Sequence, residues 1–129
     1  MLKAGILNPN ILSLLARVRH TNLLVIADRG FPFWPQIETV DISLVDDIPT
    51  VVDVLTAIRC NFVVDRAWMA KEFLRVNEDG VQKKFQAALG GIAVEYEPHV
   101  DFKRRVPQAI GLIRSGDTIQ YGNVILQSG

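Results

Sequence analysis

Five consecutive apolar residues, Leu23-Leu24-Val25-Ile26-Ala27, stand between His20 and the triplet Asp28-Arg29-Gly30. The run is too short for a helix and has no polar alternation. It predicts a strand covered on both faces, the kind found in parallel sheets flanked by helices. A strand of this kind needs partners on two sides and layers above and below it, so the rest of the chain has to supply them.

The flanking patterns do so. Asn8-Pro9 reads as a cap, and Asn10 to Arg19 as a helix carrying Ile11, Leu14, Leu15 and Val18 on one face, ending near His20-Thr21. Val40 to Leu44 alternates like a more exposed strand. Thr50 to Ile58 is helical in spacing and is entered through Pro49. Asn61 to Val64 predicts a short strand, and Asp65 to Arg75 an amphipathic helix with Trp68, Met69 and Phe73 towards the core. A helix from Gly80 to Leu89 ends at Gly90-Gly91, and Ile92 to Tyr96 is the next strand. Pro98-His99 opens a helix through Ile113 that Pro107 should break or kink, and Tyr121 to Leu126 closes the chain as a strand. Helices alternating with short buried strands predict an α/β three-layer sandwich with a largely parallel central sheet. At 129 residues, without repeats or linkers, one domain is expected.

Charge narrows the function. Fourteen Lys and Arg balance fourteen Asp and Glu, so no net field draws the chain to nucleic acid or an anionic membrane, and a neutral partner is expected. Lys83-Lys84 and Lys103-Arg104-Arg105 read as solvated helix faces. Cys60 is the lone cysteine and reads as a buried structural thiol in a reducing compartment. The N-terminus lacks an apolar leader and no stretch approaches a membrane span, which predicts a cytoplasmic protein.

Few residues are able to carry chemistry. His20 and His99 are the two histidines and the natural proton carriers near neutrality. Asp28 follows the buried strand, where open α/β sheets place ligands; it is equally able to cap the turn or pair with Arg29. Phe31-Pro32-Phe33-Trp34-Pro35 suits either a sugar-stacking surface or a loop packed on its own core. The Gly-rich phosphate and dinucleotide loops, the Ser nucleophile elbow and the zincin motif are all missing. One Cys and two distant His argue against a catalytic metal. Proton transfer without a cofactor, or plain binding, is what these residues permit.

Taken in order, Lys3-Ala-Gly-Ile-Leu-Asn8, Arg19-His20-Thr21, Ile26-Ala-Asp28-x-Gly30-Phe-Pro32, Val40-Asp41, Pro98-His99-x-x-Phe102-Lys103, Ile113-Arg114-Ser-Gly116 and Tyr121-Gly-Asn123-Val-Ile-Leu126 resemble the D-ribose pyranase and L-fucose mutarotase (RbsD/FucU) family nearly end to end. The resemblance implies an isomerase that interconverts ring forms of a free monosaccharide without metal or cofactor. It implies His20 as catalytic proton donor and Asp28, His99, Tyr121 and Asn123 as substrate-binding residues. It also implies a homo-oligomer of pentameric rings stacked into a decamer. Pro-His-x-x-Phe-Lys is nearer the pyranase branch and Tyr-Gly-Asn the mutarotase branch. Arg29 stands where the family usually has a small residue; a guanidinium there would favour ionised Asp28 and make Arg29 a specificity candidate, with a sugar acid or phosphosugar as the alternative substrate. A sugar-binding or regulatory subunit tied to sugar uptake is the competing function.

One distance is awkward. His20 and Asp28 are eight residues apart, roughly 20 to 26 Å along an extended strand, which no monosaccharide spans. With a fully extended segment, one strand would supply parts of two sites, each completed by a neighbouring subunit.

Overall fold

The computed structural model describes residues 1–129. The apolar run forms β1 (Leu23–Ala27) as expected, in a six-stranded sheet with β2 (Glu38–Asp41), β3 (Val64–Ala70), β4 (Ala93–Glu97), β5 (Gly111–Arg114) and β6 (Val124–Ser128). The strand order is β2-β5-β1-β6-β3-β4. Only β6 runs against the others; the β1–β5, β2–β5 and β3–β4 pairs are parallel. β1 therefore sits inside the sheet, between β5 and β6.

Side-chain alternation divides the core into two layers. Leu24 and Ile26 of β1, Leu126 of β6 and Met69 of β3 face the larger core. There they meet α1 (Pro9–Arg17), α2 (Val51–Arg59), α3 (Lys71–Val76) and α4 (Asp79–Leu89). Val25, Ala27, Ile125, Leu112 and Trp68 face the smaller core beneath α5 (His99–Arg105) and the aromatic loop. Helices thus cover both faces of the sheet, giving the three-layer sandwich.

Caps follow the sequence closely. The Asn8 side chain accepts from the N–H groups of Asn10 and Ile11 at the start of α1. Thr50 and Asp53 form a reciprocal capping box on α2, so Thr50 rather than Pro49 starts that helix. Gly90 ends α4 at φ 60°, a conformation that favours glycine.

Two expected helices are partly strand. Residues 65–70 belong to β3, and only Lys71–Val76 is helical. Trp68 and Met69 are both buried, but on opposite faces of the sheet, so a two-residue period decides where a helical stripe was expected. The segment is needed as the link between β6 and β4. The helix expected through Ile113 ends at Arg105, passes through a 3₁₀ turn (Val106–Gln108) containing Pro107, and gives way to β5. Proline removes a helical donor, and the apolar Leu112 and Ile113 then fill the gap between β1 and β2. Gly111 permits that insertion, since a Cβ there would lie 2.7 Å from the Leu14 side chain.

Two surface expectations also change. Cys60 is exposed at the end of α2 instead of buried. Arg105 is no freely solvated helix residue: it pairs with both Glu97 oxygens at 2.6 and 2.9 Å, and its guanidinium lies 4.5 Å above the Trp68 ring. Lys83 and Lys84 are exposed, as expected.

Candidate active site

The carboxyl end of β1 opens into a cleft of about 380 Å³. It is lined by Asp28, Gly30, Phe31, Pro32, His99, Gln120, Tyr121 and Asn123. Four residues singled out in the sequence therefore converge: Asp28, His99, Tyr121 and Asn123. The antiparallel course of β6 explains the meeting, because Ile26 pairs with Val124 and the beginning of β6 lies beside the end of β1. In sequence Tyr121 and Asn123 precede their strand as His20 precedes β1, yet in space they share the opposite end with Asp28.

The cleft is braced by polar groups. Asn123, 3% exposed, accepts the Asp28 N–H at 2.7 Å through Oδ1. Asp28 Oδ1 accepts the Gly30 N–H at 2.9 Å, an Asx-type turn at the strand end. Tyr121 takes the left-handed φ of 57° in the turn that presents it. Behind this turn, buried Asp117 accepts the N–H groups of Val51 and Ile119 at 2.8 and 2.7 Å. Ser115 donates its hydroxyl to the Ala27 carbonyl at 2.7 Å. The sequence flagged neither Asp117 nor Ser115 nor Gln120 as functional; the neighbouring Ile-Arg-Ser-Gly and Tyr-Gly-Asn motifs were the available signal.

Electrostatics set the two titratable groups apart. Burial pushes the Asp28 carboxyl above its ordinary range, helped by the charge of Asp117 and opposed by hydrogen bonds from Gly30, Asn123 and Phe31. Burial pushes His99 below the usual histidine value, with Lys103 adding to the fall and Glu72 and Asp28 opposing it. The His99 ring stacks on Phe102 at 5.9 Å and meets Tyr121 edge-on at 5.1 Å. Phe31 packs edge-on against both His99 and Phe102, so the aromatic loop is anchored to the smaller core through Phe31 while Phe33 stays exposed.

Arg29 lies outside this cleft. Its guanidinium turns away to Asp46 at 2.8 Å, across a pair more than half exposed on both sides, and lines a neighbouring hollow of about 480 Å³ beside Asp41 and Arg114. It therefore does not lower the Asp28 pKa as expected from adjacency. The charges in that hollow are already matched. Arg114 donates to Asp41 Oδ2, Ser43 Oγ and the Arg29 carbonyl. Despite partial burial, the Ser43 and Arg114 hydrogen bonds hold the Asp41 carboxyl below its usual value.

His20 is absent from the cleft. It is exposed at the tip of a turn between α1 and β1, at the other end of the strand. The extended course of β1 keeps its two ends roughly 13 to 17 Å apart. No cluster of three or more His, Cys, Asp or Glu side chains suited to holding a metal forms anywhere, and no helix is long and apolar enough to cross a membrane.

Known proteins share this architecture. The chain is 37% identical over 129 residues to a D-ribose pyranase of Geobacillus kaustophilus, covering 100% of this chain and 94% of the relative. It is 40% identical to a D-ribose pyranase of Chromobacterium violaceum, covering 100% and 98%. The solved structure of Bacillus subtilis RbsD complexed with D-ribose superposes with a TM-score of 0.91 at 31% identity, covering 100% of this chain and 98% of that one. A Streptococcus pneumoniae fucose mutarotase in complex with L-fucose shares the fold, with a TM-score of 0.80 at 19% identity over 95% and 92% of the two chains. The model of the RbsD / FucU transport protein family matches residues 1–129, and the chain belongs to that family.

Proposed function

We propose that the protein is a D-ribose pyranase: an isomerase that interconverts ring forms of free D-ribose without a cofactor, each site pairing the cleft of one subunit with His20 of a neighbour. The observation that carries this reading is the convergence of Asp28, His99, Tyr121 and Asn123 on one cleft, in a chain 33 to 40% identical to several proteins named D-ribose pyranase. The cleft's volume falls within the span of small-molecule sites, and its lining is rich in the donors and acceptors that hydroxyl groups need. Its polar, partly open lining suits a neutral sugar, while Arg29 is engaged elsewhere. This favours ribose over a phosphosugar or a sugar acid.

Ring exchange requires a proton to leave the anomeric hydroxyl while another reaches the ring oxygen. The ring opens to the aldehyde and recloses through a different hydroxyl with the roles reversed. His20 of the neighbouring subunit supplies the ring-oxygen proton. Tyr121, Asn123 and His99 hold the hydroxyls that do not react. Positioned acid and base groups contribute about 10² to 10⁴-fold to such a step. The family resemblance supports pentameric rings paired into a decamer and a cytoplasmic location.

Saturation-transfer NMR on equilibrated D-ribose, L-fucose and other aldoses tests the reading. Exchange between pyranose and furanose ribose should accelerate with the wild-type protein and vanish with His20→Ala. Acceleration of L-fucose anomers alone would move the protein to the mutarotase branch. Sugar binding without acceleration of any exchange would establish the regulatory-subunit reading instead. A fully active monomer would overturn the sharing of sites.

A further inference from the structure

The His99 ring is wedged between Phe102, Tyr121 and Phe31, and its backbone N–H donates to both Glu72 carboxylate oxygens at 3.1 Å. Its Nδ1 is buried and has no hydrogen-bond partner. A sugar or a second subunit entering the cleft cannot reach an atom already closed off by the chain itself. A buried N–H left without an acceptor costs about 1 to 3 kcal/mol, and orphaned donors are rarer than bare acceptors. The proton of neutral His99 therefore belongs on Nε2, and burial favours the neutral ring. In that form Nε2 is a donor with no lone pair to accept a proton from a hydroxyl. Asp28 lines the same cleft; the Gly30 N–H, the Asn123 side chain and the Phe31 N–H approach its carboxylate, and its two oxygens offer about four lone-pair sites, so capacity remains for a sugar hydroxyl.

We propose that Asp28 is the general base working opposite His20, and that His99 is a fixed Nε2–H donor that binds the sugar without exchanging a proton. The inference rests on the ring-isomerase reading above. In the opening step the anomeric O–H proton passes to Asp28 as the bond between C1 and the ring oxygen breaks and the C1 carbonyl forms. The departing ring oxygen takes a proton from His20. On reclosure a different hydroxyl gives its proton to His20 and attacks C1, and the carbonyl oxygen recovers the proton held by Asp28. Both residues return to their starting states and no other reactant is consumed. A carboxyl raised by burial is a stronger base than an ordinary one, which suits Asp28 to this task.

Asp28→Asn keeps an acceptor for the Gly30 N–H but cannot take a proton. Pyranose–furanose exchange in this variant should fall about 10² to 10⁴-fold, with ribose binding, read by calorimetry, kept within a few-fold. His99→Gln retains an N–H donor and should lose under about tenfold, mostly in KM. The ¹⁵N ring shifts of wild-type His99 without sugar should report the neutral Nε2–H form at pH 7. Asp28→Asn retaining exchange near the wild-type rate overturns the proposal. Loss of binding along with exchange also overturns it, because Asp28 would then hold the sugar instead of taking its proton. An Nδ1–H or imidazolium signal overturns the part assigned to His99, independently of activity. If wild-type protein accelerates no aldose, the isomerase reading itself fails and the Asp28 role with it.

Discussion

The two ends of β1 are built in opposite ways. At its carboxyl end, Asp28 is fixed by Asn123 and Gly30, with Ser115 and Asp117 braced behind. At its amino end, a tight turn carries His20, closed by the Asn22 side chain accepting from Arg19 N–H at 2.8 Å and by Thr21 N–H donating to Ser128 at 2.9 Å. Each end holds a non-glycine residue in the left-handed region, Thr21 at φ 68° and Tyr121 at φ 57°. Only the Tyr121 end is walled by buried polar and aromatic groups. A walled end gives a preorganised binding surface, whereas an exposed tip is free to deliver its side chain to another molecule.

The largest expected effect tests that division directly. His20→Ala should abolish exchange, a loss of about 10² to 10⁴-fold, and shift stability by no more than about 0.5 kcal/mol, as for exposed positions generally. Co-refolding His20→Ala with Asp28→Asn should then restore roughly a quarter of the wild-type activity, the fraction of sites drawing one intact half from each chain in a random closed ring. No recovery on mixing would place both residues in a site within one chain.

Next comes the brace. Asp117→Ala leaves the Val51 and Ile119 donors without their acceptor. Urea unfolding should show a loss of about 1 to 3 kcal/mol for each donor so exposed to desolvation, together with weaker ribose binding. An unchanged midpoint would show that the carboxyl-end brace is dispensable.

A smaller effect concerns pH. Because burial holds the folded His99 pKa below the ordinary histidine value of about 6.5, the unfolded chain binds more protons in that window. Stability should therefore fall on acidification from 6.5 down through the folded pKa, and His99→Gln should flatten that part of the thermal-melt profile. A slope unaffected by His99→Gln would assign the acid sensitivity elsewhere.

The smallest effect is expected for Arg29→Ala. Its ion pair with Asp46 is exposed, so the cost should be at most about 1 kcal/mol, and KM for ribose should stay within a few-fold. A large change in sugar selectivity would bring Arg29 into the cleft after all.

Much was legible in the sequence. Asn8 and Gly90 mark helix ends through local chemistry, and the unbroken Leu23–Ala27 run predicts a strand covered on both faces, whereas the Thr50–Asp53 capping box emerged only in the structure. Among the cleft residues, Asp28 and His99 were legible as types placed at element ends, Tyr121 and Asn123 only through the family resemblance, and Gln120 through neither. What misled was periodicity in short segments: Trp68-Met69 suits a helical stripe as well as two faces of a strand, and Leu112-Ile113 lies too close to Pro107 to reveal which element it joins.

The sequence by itself determined the elements with strong local signals and the chemical groups available for proton transfer. The tertiary structure alone decided which groups meet, because pairing direction is non-local. The reversed β6 carries Tyr121 and Asn123 to Asp28, and the extended β1 holds His20 away from all three.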